Sequence, residues 1–213
     1  MKGAGNVIEV PEELIGFYSR LDALQDELFA GVSLPDSMVE KNHLQQHYEE
    51  QMFWLQILKF PEVTLGFQHN LTAIAEFTKE GRPEIREKID AIIEAITGEN
   101  VEELIERTLW LDTQYFDSLA NQKYLSAGLL VFLTENALRP FLRAWGQQLM
   151  KYFDKDKWQS PNCPVCGQKA RISRLRQGDG SRIMFCSHCF AEWQYRHLYC
   201  PHCNNEDPMT LNI

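Results

Sequence analysis

Apolar residues recur at every third or fourth position along residues 11–154, which is the spacing of one buried face of a helix. The first segment carries the stripe Leu14, Tyr18, Leu21, Leu24 and Leu28. Similar stripes follow at residues 38–58, 63–77, 85–96, 101–119 and 124–153, with glycine or proline near most of their ends. The pattern therefore predicts an all-helical bundle of six or seven helices.

The last helical stripe contains Pro140, which removes one backbone donor and crowds the preceding turn. We therefore expect a kink or a break near Leu138. The apolar repeat then stops at residues 154–162, where charged residues, Ser160 and Pro161 replace it. We place a domain boundary here, with an all-helical domain over residues 1–158 and a second module over residues 159–213.

Beyond this boundary the pattern changes from helical to strand-like. Residues 171–176 alternate as a strand does, residues 177–181 are typical of a turn, and residues 182–185 form a second run that leads into Cys186. These segments predict a β-hairpin. A short third strand is expected around residues 193–198.

Charge is divided unevenly along the chain. Of the 213 residues, 44% are apolar, which is enough for a core, and the net charge is -9. Residues 1–150 hold 12 basic and 24 acidic residues, whereas residues 151–213 hold 9 and 6. The longest apolar run, residues 124–133, is shorter than the roughly 20 residues that cross a bilayer. The N-terminus shows no export signal, so we expect a cytoplasmic protein without a membrane span.

All six cysteines lie in the last 51 residues and form three Cys-x-x-Cys pairs: Cys163 and Cys166, Cys186 and Cys189, Cys200 and Cys203. Two thiolates at this spacing in a tight turn can reach one metal ion, and a reducing cytoplasm disfavours disulfides. The first two pairs stand at the two ends of the predicted hairpin, as in zinc ribbons and rubredoxins. We predict that these four thiolates bind iron or zinc, which spacing alone does not distinguish.

The fold class that follows is mainly α, with an N-terminal helical bundle followed by a small rubredoxin-like or zinc-ribbon β module. A knuckle is the tight Cys-x-x-Cys turn that carries two metal ligands. Gly167 follows the first Cys pair and accepts the positive φ that such a turn favours. Phe190 holds the corresponding position after the second pair, so we expect a less regular or a strained turn there.

The third pair, Cys200 and Cys203, is a candidate metal-ligand pair without a fourth pair to complete a second site. Three explanations are open: truncation of the chain, ligation across an oligomer, or recruitment of His188, His197 or His202. We favour truncation, because residues 204–207 resemble the start of a loop. The module is therefore expected to be incomplete at its C-terminus.

The strings CPVCG and SRIMFCSHCFAEWQYRHLYCPHCNNED resemble the C-terminal half of the formate dehydrogenase accessory proteins known as FdhE. Trp193 and Arg196, between the second and third Cys pairs, match that family's pattern. The resemblance implies a helical domain followed by rubredoxin-like modules, with iron or zinc bound by the cysteines. It also implies a cytoplasmic, chaperone-like accessory protein that binds the catalytic subunit of a molybdenum- or tungsten-dependent formate dehydrogenase during maturation. Family members have a fourth Cys-x-x-Cys, so this chain resembles a C-terminally shortened member.

The alternative is a nucleic-acid-binding zinc ribbon or a general protein-interaction module. Four arginines and two aromatic residues on or near the hairpin favour it: Arg171, Arg174, Arg176, Arg182, Trp193 and Tyr195. The acidic helical half opposes phosphate binding, so these arginines are better placed to meet an acidic protein surface or the acidic bundle itself. We find no catalytic nucleophile, paired-carboxylate site or phosphate-binding glycine loop, and we do not expect an enzyme.

Two features of the helical half have simple structural interpretations. His43 and His47 stand at i and i+4, a spacing that can share a metal, but a solvated helix face accounts for them. Phe53, Trp54 and Phe60 are expected in the core.

Overall fold

The structure is a computed structural model and describes residues 10–32, 39–58, 63–197, 199–203, 205–207 and 209–210. Contacts divide the chain into two compact units. The first unit comprises Met1–Gly31 and Thr64–Leu138, and the second comprises Val32–Val63 and Arg139–Ile213. This division differs from the predicted boundary between residues 158 and 159, which stays a prediction.

Within the described residues the chain forms eight α-helices and three strands. The helices are α1 Glu12–Ala30, α2 Lys41–Glu49, α3 Trp54–Ile57, α4 Thr64–Gly81, α5 Arg86–Thr97, α6 Val101–Leu109, α7 Thr113–Lys123 and α8 Ala127–Leu149. The strands are β1 Ile172–Leu175, β2 Arg182–Phe185 and β3 Glu192–Tyr195. Short 3-10 turns cover Pro83–Ile85 and Met150–Tyr152. The predicted fold class, mainly helical with a small ribbon-like sheet, is confirmed.

Two segments that were each predicted as one helix contain a turn. Gln51 and Leu111 have φ of 55° and 54°, a backbone conformation that ends a helix. The Asp112 side chain then accepts a hydrogen bond from the Tyr115 N–H at 3.0 Å and starts α7. The helix count therefore exceeds the predicted six or seven, because apolar spacing does not register such short turns. Pro140 lies inside α8 without ending it, so the break that was one alternative near Leu138 is absent.

The first unit is a set of helices around an apolar core. Its fully buried large side chains include Leu21, Phe67, Ile74, Ile89, Ile92, Leu104, Phe116, Leu130 and Leu133. The core also contains a buried pair of amide side chains, in which Gln25 Nε2 donates a hydrogen bond to Asn136 Oδ1 at 2.8 Å. The predicted stripe of α1 is buried at Leu21, whereas Leu14 and Tyr18 are 39% and 48% exposed.

The second unit contains α2, α3, the part of α8 from Arg139 onward, and the sheet. The strands are antiparallel in the order β1-β2-β3, with Arg174 opposite Ile183 and Ile183 opposite Gln194. The predicted hairpin is therefore present, and the third strand begins one residue before its predicted start. Leu198 and Phe60 lie outside the described residues. None of the helices in the described ranges has the length and apolarity needed to cross a membrane.

Candidate metal centre

Four thiols meet at one point of the second unit. Cys163 Sγ lies 3.5 Å from Cys189 Sγ, and Cys166 Sγ lies 3.5 Å from Cys186 Sγ. All four sulfur atoms are within 4.8 Å of one another. Metal–sulfur bonds of about 2.3 Å in a tetrahedron place the sulfurs about 3.8 Å apart, so this spacing fits a four-thiolate metal site. The side chains are at most 2% exposed, so the cluster is almost closed to solvent.

The two turns that carry these thiols share one backbone pattern. Gly167 N–H donates to Cys163 O and Phe190 N–H donates to Cys186 O, both at 2.9 Å. Gly167 and Phe190 have φ of 77° and 60°, so both occupy the left-handed region. The second turn is therefore as regular as the first, and of the two outcomes expected at Phe190 the strained one is found. A non-glycine residue in this region costs about 1–2 kcal/mol.

The Phe190 ring has contacts that explain why a bulky residue occupies this strained position. Arg139 and Arg143 of α8 place their guanidinium carbons 5.6 Å and 5.4 Å from the ring centroid. Phe185 packs edge-on against the same ring, with centroids 5.6 Å apart. Cation–π contacts contribute about 0.5–1 kcal/mol each at partly exposed sites, which is enough to offset the strain.

The segment before and within α3 holds the first knuckle from outside the ribbon. Trp54 N–H donates to Pro164 O at 3.0 Å and Leu55 N–H donates to Val165 O at 2.9 Å. The Phe53 ring lies so close to Gly167 that a Cβ on this glycine would be 2.6 Å from it. Gly167 is thus required both by its positive φ and by this close packing.

The second knuckle is held by α8. A Cβ on Gly146 would lie 2.5 Å from Cys189 O, so only glycine lets the helix approach the knuckle this closely. Leu142, Trp145 and Leu149 on the same part of the helix are at most 1% exposed. Each knuckle is therefore covered by a helical element, which accounts for the burial of the four thiols.

His47 was expected on a solvated face, and this expectation is wrong. The side chain is fully buried, and its ring stacks on Trp54 at 4.1 Å and on Trp158 at 4.7 Å between centroids. Nδ1 donates a hydrogen bond to Met52 O at 2.6 Å, which leaves Nε2 as a buried acceptor without a partner among the described residues. Burial lowers the pKa of His47 to about 4, so the ring is neutral near neutral pH. The core prediction for Trp54 is confirmed, since it is also fully buried.

The pKa values of three thiols in the cluster are shifted from the ordinary value. Burial raises the pKa of the Cys163 and Cys189 thiols well above the ordinary value, because thiolates are poorly solvated there. Hydrogen bonds from the neighbouring thiols lower the pKa of Cys186. Because burial disfavours charge on the thiols, a bound divalent metal would be needed to stabilise all four as thiolates.

The structure does not bring Cys200 and Cys203 into this cluster. Cys200 N–H donates to Asn205 O at 2.9 Å, the same bond that Cys163 N–H makes to Gln168 O at 2.9 Å, so a third knuckle begins here. Cys203 is exposed, and backbone N–H groups lower the pKa of Cys200. Among the described residues no histidine or carboxylate joins these two thiols in a group of three potential ligands. Their role as metal ligands stays a prediction.

Trp193 and Tyr195 of β3 are only 1% and 7% exposed, so neither ring is available for stacking on a base. Their burial removes one of the two observations that favoured a nucleic-acid ribbon. Arg196, the other residue of the predicted family pattern, remains on the surface near Glu206, with 3.7 Å between the charged groups.

The small antiparallel sheet has a knuckle at each end of its hairpin and carries four converging buried thiols. This is the arrangement of a zinc-ribbon-like module whose four thiols could hold one metal ion. Residues 162–197, which include the whole four-thiol cluster, match the family model described as FdhE, central domain. A relative named Protein FdhE homolog, from Aquifex aeolicus (strain VF5), is 29% identical over 91 residues. This match covers 41% of the present chain and 31% of the relative. Both matches are to FdhE proteins, and they confirm the resemblance predicted from the sequence. No solved structure matches the chain.

Proposed function

We propose that this chain is an accessory protein for the maturation of a molybdenum- or tungsten-dependent formate dehydrogenase and binds its catalytic subunit in the cytoplasm. One observation carries the proposal: the segment that matches the FdhE central domain is the segment that brings the four thiols together. The role is that of a chaperone-like binding protein, because four thiolates fill a tetrahedral metal and leave no open position for substrate.

The residues that would hold the metal are Cys163, Cys166, Cys186 and Cys189. Zinc would stabilise the small ribbon, whereas iron would also supply one-electron chemistry. Burial of the sulfurs and the backbone donors of the knuckles are the features that would tune an iron potential. Metal analysis with an optical spectrum distinguishes the two, because ferric tetrathiolate is red and zinc tetrathiolate is colourless. A colourless protein without zinc or iron would contradict the metal proposal.

The partner proposal is tested by affinity capture from cell extracts. A tagged chain should retain the catalytic subunit of a formate dehydrogenase from formate-metabolising cells, and the subunit should be identified by mass spectrometry. A Cys163→Ser variant tests whether retention needs the metal centre, and a Cys203→Ser variant serves as a matched thiol control. If the wild-type chain is recovered without this subunit from cells that contain it, the accessory function is wrong.

The second candidate is a nucleic-acid-binding ribbon, favoured by Arg171, Arg174, Arg176 and Arg182 on one hairpin. Binding of single-stranded RNA or DNA at physiological salt, with a strong decrease at higher salt, would support it. The burial of Trp193 and Tyr195 weighs against this candidate.

A further inference from the structure

The outer edge of β1 is open. Among the described residues β1 pairs with β2 alone, and all four of its residues are exposed. Arg176 N–H donates to Ser181 O at 2.8 Å and Cys186 N–H donates to Ala191 O at 3.0 Å, which together fix the alternation of the ladder. By this alternation the backbone groups of Ser173 and Leu175 point away from β2. The edge thus offers two N–H donors and two carbonyl acceptors to another strand.

The side chains of the same edge combine apolar and basic character. Ile172 and Leu175 are 61% and 55% exposed and stand on opposite faces of the sheet. The hairpin segment 169–185 carries one acidic residue and five basic residues: Lys169, Arg171, Arg174, Arg176 and Arg182. Among the described residues neither Lys169 nor Arg171 has a salt bridge.

A cleft of about 390 Å³ lies over one face of the sheet, and its walls include Arg174, Ile183 and Gln194, one residue from each strand. Arg174 pairs with Glu192 at 2.8 Å, and Arg176 pairs with Asp179. The first pair draws the Arg174 guanidinium over the sheet towards β3, and the second holds the Arg176 guanidinium at the turn. In the described part of the chain, the basic residues next to β1 without a salt bridge are therefore Lys169 and Arg171. Carboxylates on a bound segment can pair with Arg171, which directly precedes β1.

We propose that the open edge of β1 binds an extended, acidic segment of the partner protein, which adds to the sheet as a fourth strand. The inference rests on the proposed function, because it assigns this surface to the catalytic subunit. Backbone bonds to Ser173 and Leu175 supply affinity, and Ile172 and Leu175 provide apolar contacts. Lys169 and Arg171 select acidic side chains. A second copy of the chain is disfavoured, since edge-to-edge pairing would place two basic hairpins side by side.

The test compares matched variants in a binding assay with the purified catalytic subunit. Ser173→Pro removes an outward N–H and obstructs the incoming strand, and proline is tolerated on an edge strand when its nitrogen faces solvent. Ser173→Ala is its control, because it removes only the hydroxyl that accepts from Arg182 Nε at 3.2 Å. Ser173→Pro should weaken binding about tenfold or more, while Ser173→Ala should stay within about twofold of wild type.

A charge variant provides an independent measurement. Arg171→Glu should weaken binding about tenfold at low salt and less at high salt, because the contact is electrostatic. Lys41→Glu makes the same charge change at an exposed position of α2 and should leave affinity unchanged. Circular dichroism and metal content should match wild type in all four variants, which shows that a loss of binding is not a loss of fold.

The outcomes separate this inference from the proposed function. If wild type binds the catalytic subunit and Ser173→Pro and Arg171→Glu bind equally well, the edge is not the docking surface while the accessory function stands. If wild type does not bind, both are overturned. If Ser173→Pro loses self-association but binds the subunit as wild type does, the edge belongs to a second copy of the chain. If this variant loses only RNA binding, the edge belongs to nucleic acid. Either result overturns the proposal.

Discussion

Gly146→Ala is the sharpest test of how α8 holds the second knuckle. A Cβ at this position would lie 2.5 Å from Cys189 O, whereas ordinary contacts begin at 3.4 Å. The helix and the knuckle must therefore separate by about 0.9 Å, since the neighbour is backbone and cannot rotate away. The displaced atom belongs to a cysteine of the four-thiol cluster, so stability and metal retention should change together.

The expected magnitude follows from two opposing effects. Overpacking of this kind costs about 1–3 kcal/mol, whereas replacing glycine by alanine inside a helix gains about 1 kcal/mol. The free energy of unfolding should therefore fall by up to about 2 kcal/mol in Gly146→Ala. Gly16→Ala, inside α1, is the matched control, because nothing outside its own stretch of helix lies within 4 Å of the added Cβ. This variant should gain about 1 kcal/mol.

Urea unfolding followed by circular dichroism measures these differences in the free energy of unfolding. Competition with a chelator, using zinc-loaded protein, measures metal retention in the same variants. Gly146→Ala should release zinc severalfold faster than wild type, and Gly16→Ala should release it at the wild-type rate. If both alanine variants gain stability equally and retain zinc equally, the close approach of α8 to Cys189 does not hold the knuckle.

Three further predictions concern single side chains. The pKa of His47 is lowered to about 4 in the folded protein, whereas in the unfolded chain it is near 6.5. The contribution of neutral His47 to stability is therefore present above pH 6.5 and is lost as the pH falls towards 4. The free energy of unfolding should fall by about 2 kcal/mol between pH 7 and pH 5. His47→Phe should lose this dependence in urea titrations and exposed His69→Gln should keep it; an unchanged slope in His47→Phe contradicts the assignment. Cys163→Ser should release the metal of the four-thiol cluster and speed hydrogen exchange in α3, whereas Cys203→Ser should do neither. Metal analysis and hydrogen-exchange mass spectrometry measure the two effects. Phe190→Gly should be about 1 kcal/mol more stable than Phe190→Ala in urea, because only alanine keeps the strain of a positive φ, and equal stabilities would argue against strain.

The ribbon could be predicted because its information is local. Cys163 and Cys166 share one turn, and the strands that follow are joined by a short hairpin, so spacing and alternation alone indicate the cluster. Alternation also located the β2 strand at its observed residues, Arg182–Phe185. At Phe190 the strained turn could be predicted, because the sequence shows that glycine is missing there. The contacts of the ring with Arg139 and Arg143 could not be predicted from the sequence.

The packing around the cluster could not be predicted from the same patterns. Trp54 bonds to Pro164 across more than a hundred residues, and helical periodicity says nothing about which distant segment a helix contacts. His47 was misassigned because a polar residue was taken to mark a solvated face, whereas two tryptophan rings bury it. Gly146 gave a usable signal: a lone glycine inside an apolar helix costs about 1 kcal/mol, which indicates a packing reason.

The enclosure of the four thiols limits what a metal bound to them could do. Atoms that are at most 2% exposed do not contact a partner, so passing the metal to a partner or exchanging ligands with it requires a knuckle to open. Opening the first knuckle breaks the bonds from Trp54 and Leu55, and opening the second disturbs the packing at Gly146. A structural role, or one-electron transfer through the sulfurs, needs no such opening. The geometry therefore favours a centre that shapes the ribbon and leaves contact with other molecules to its exposed surface, of which β1 is a part.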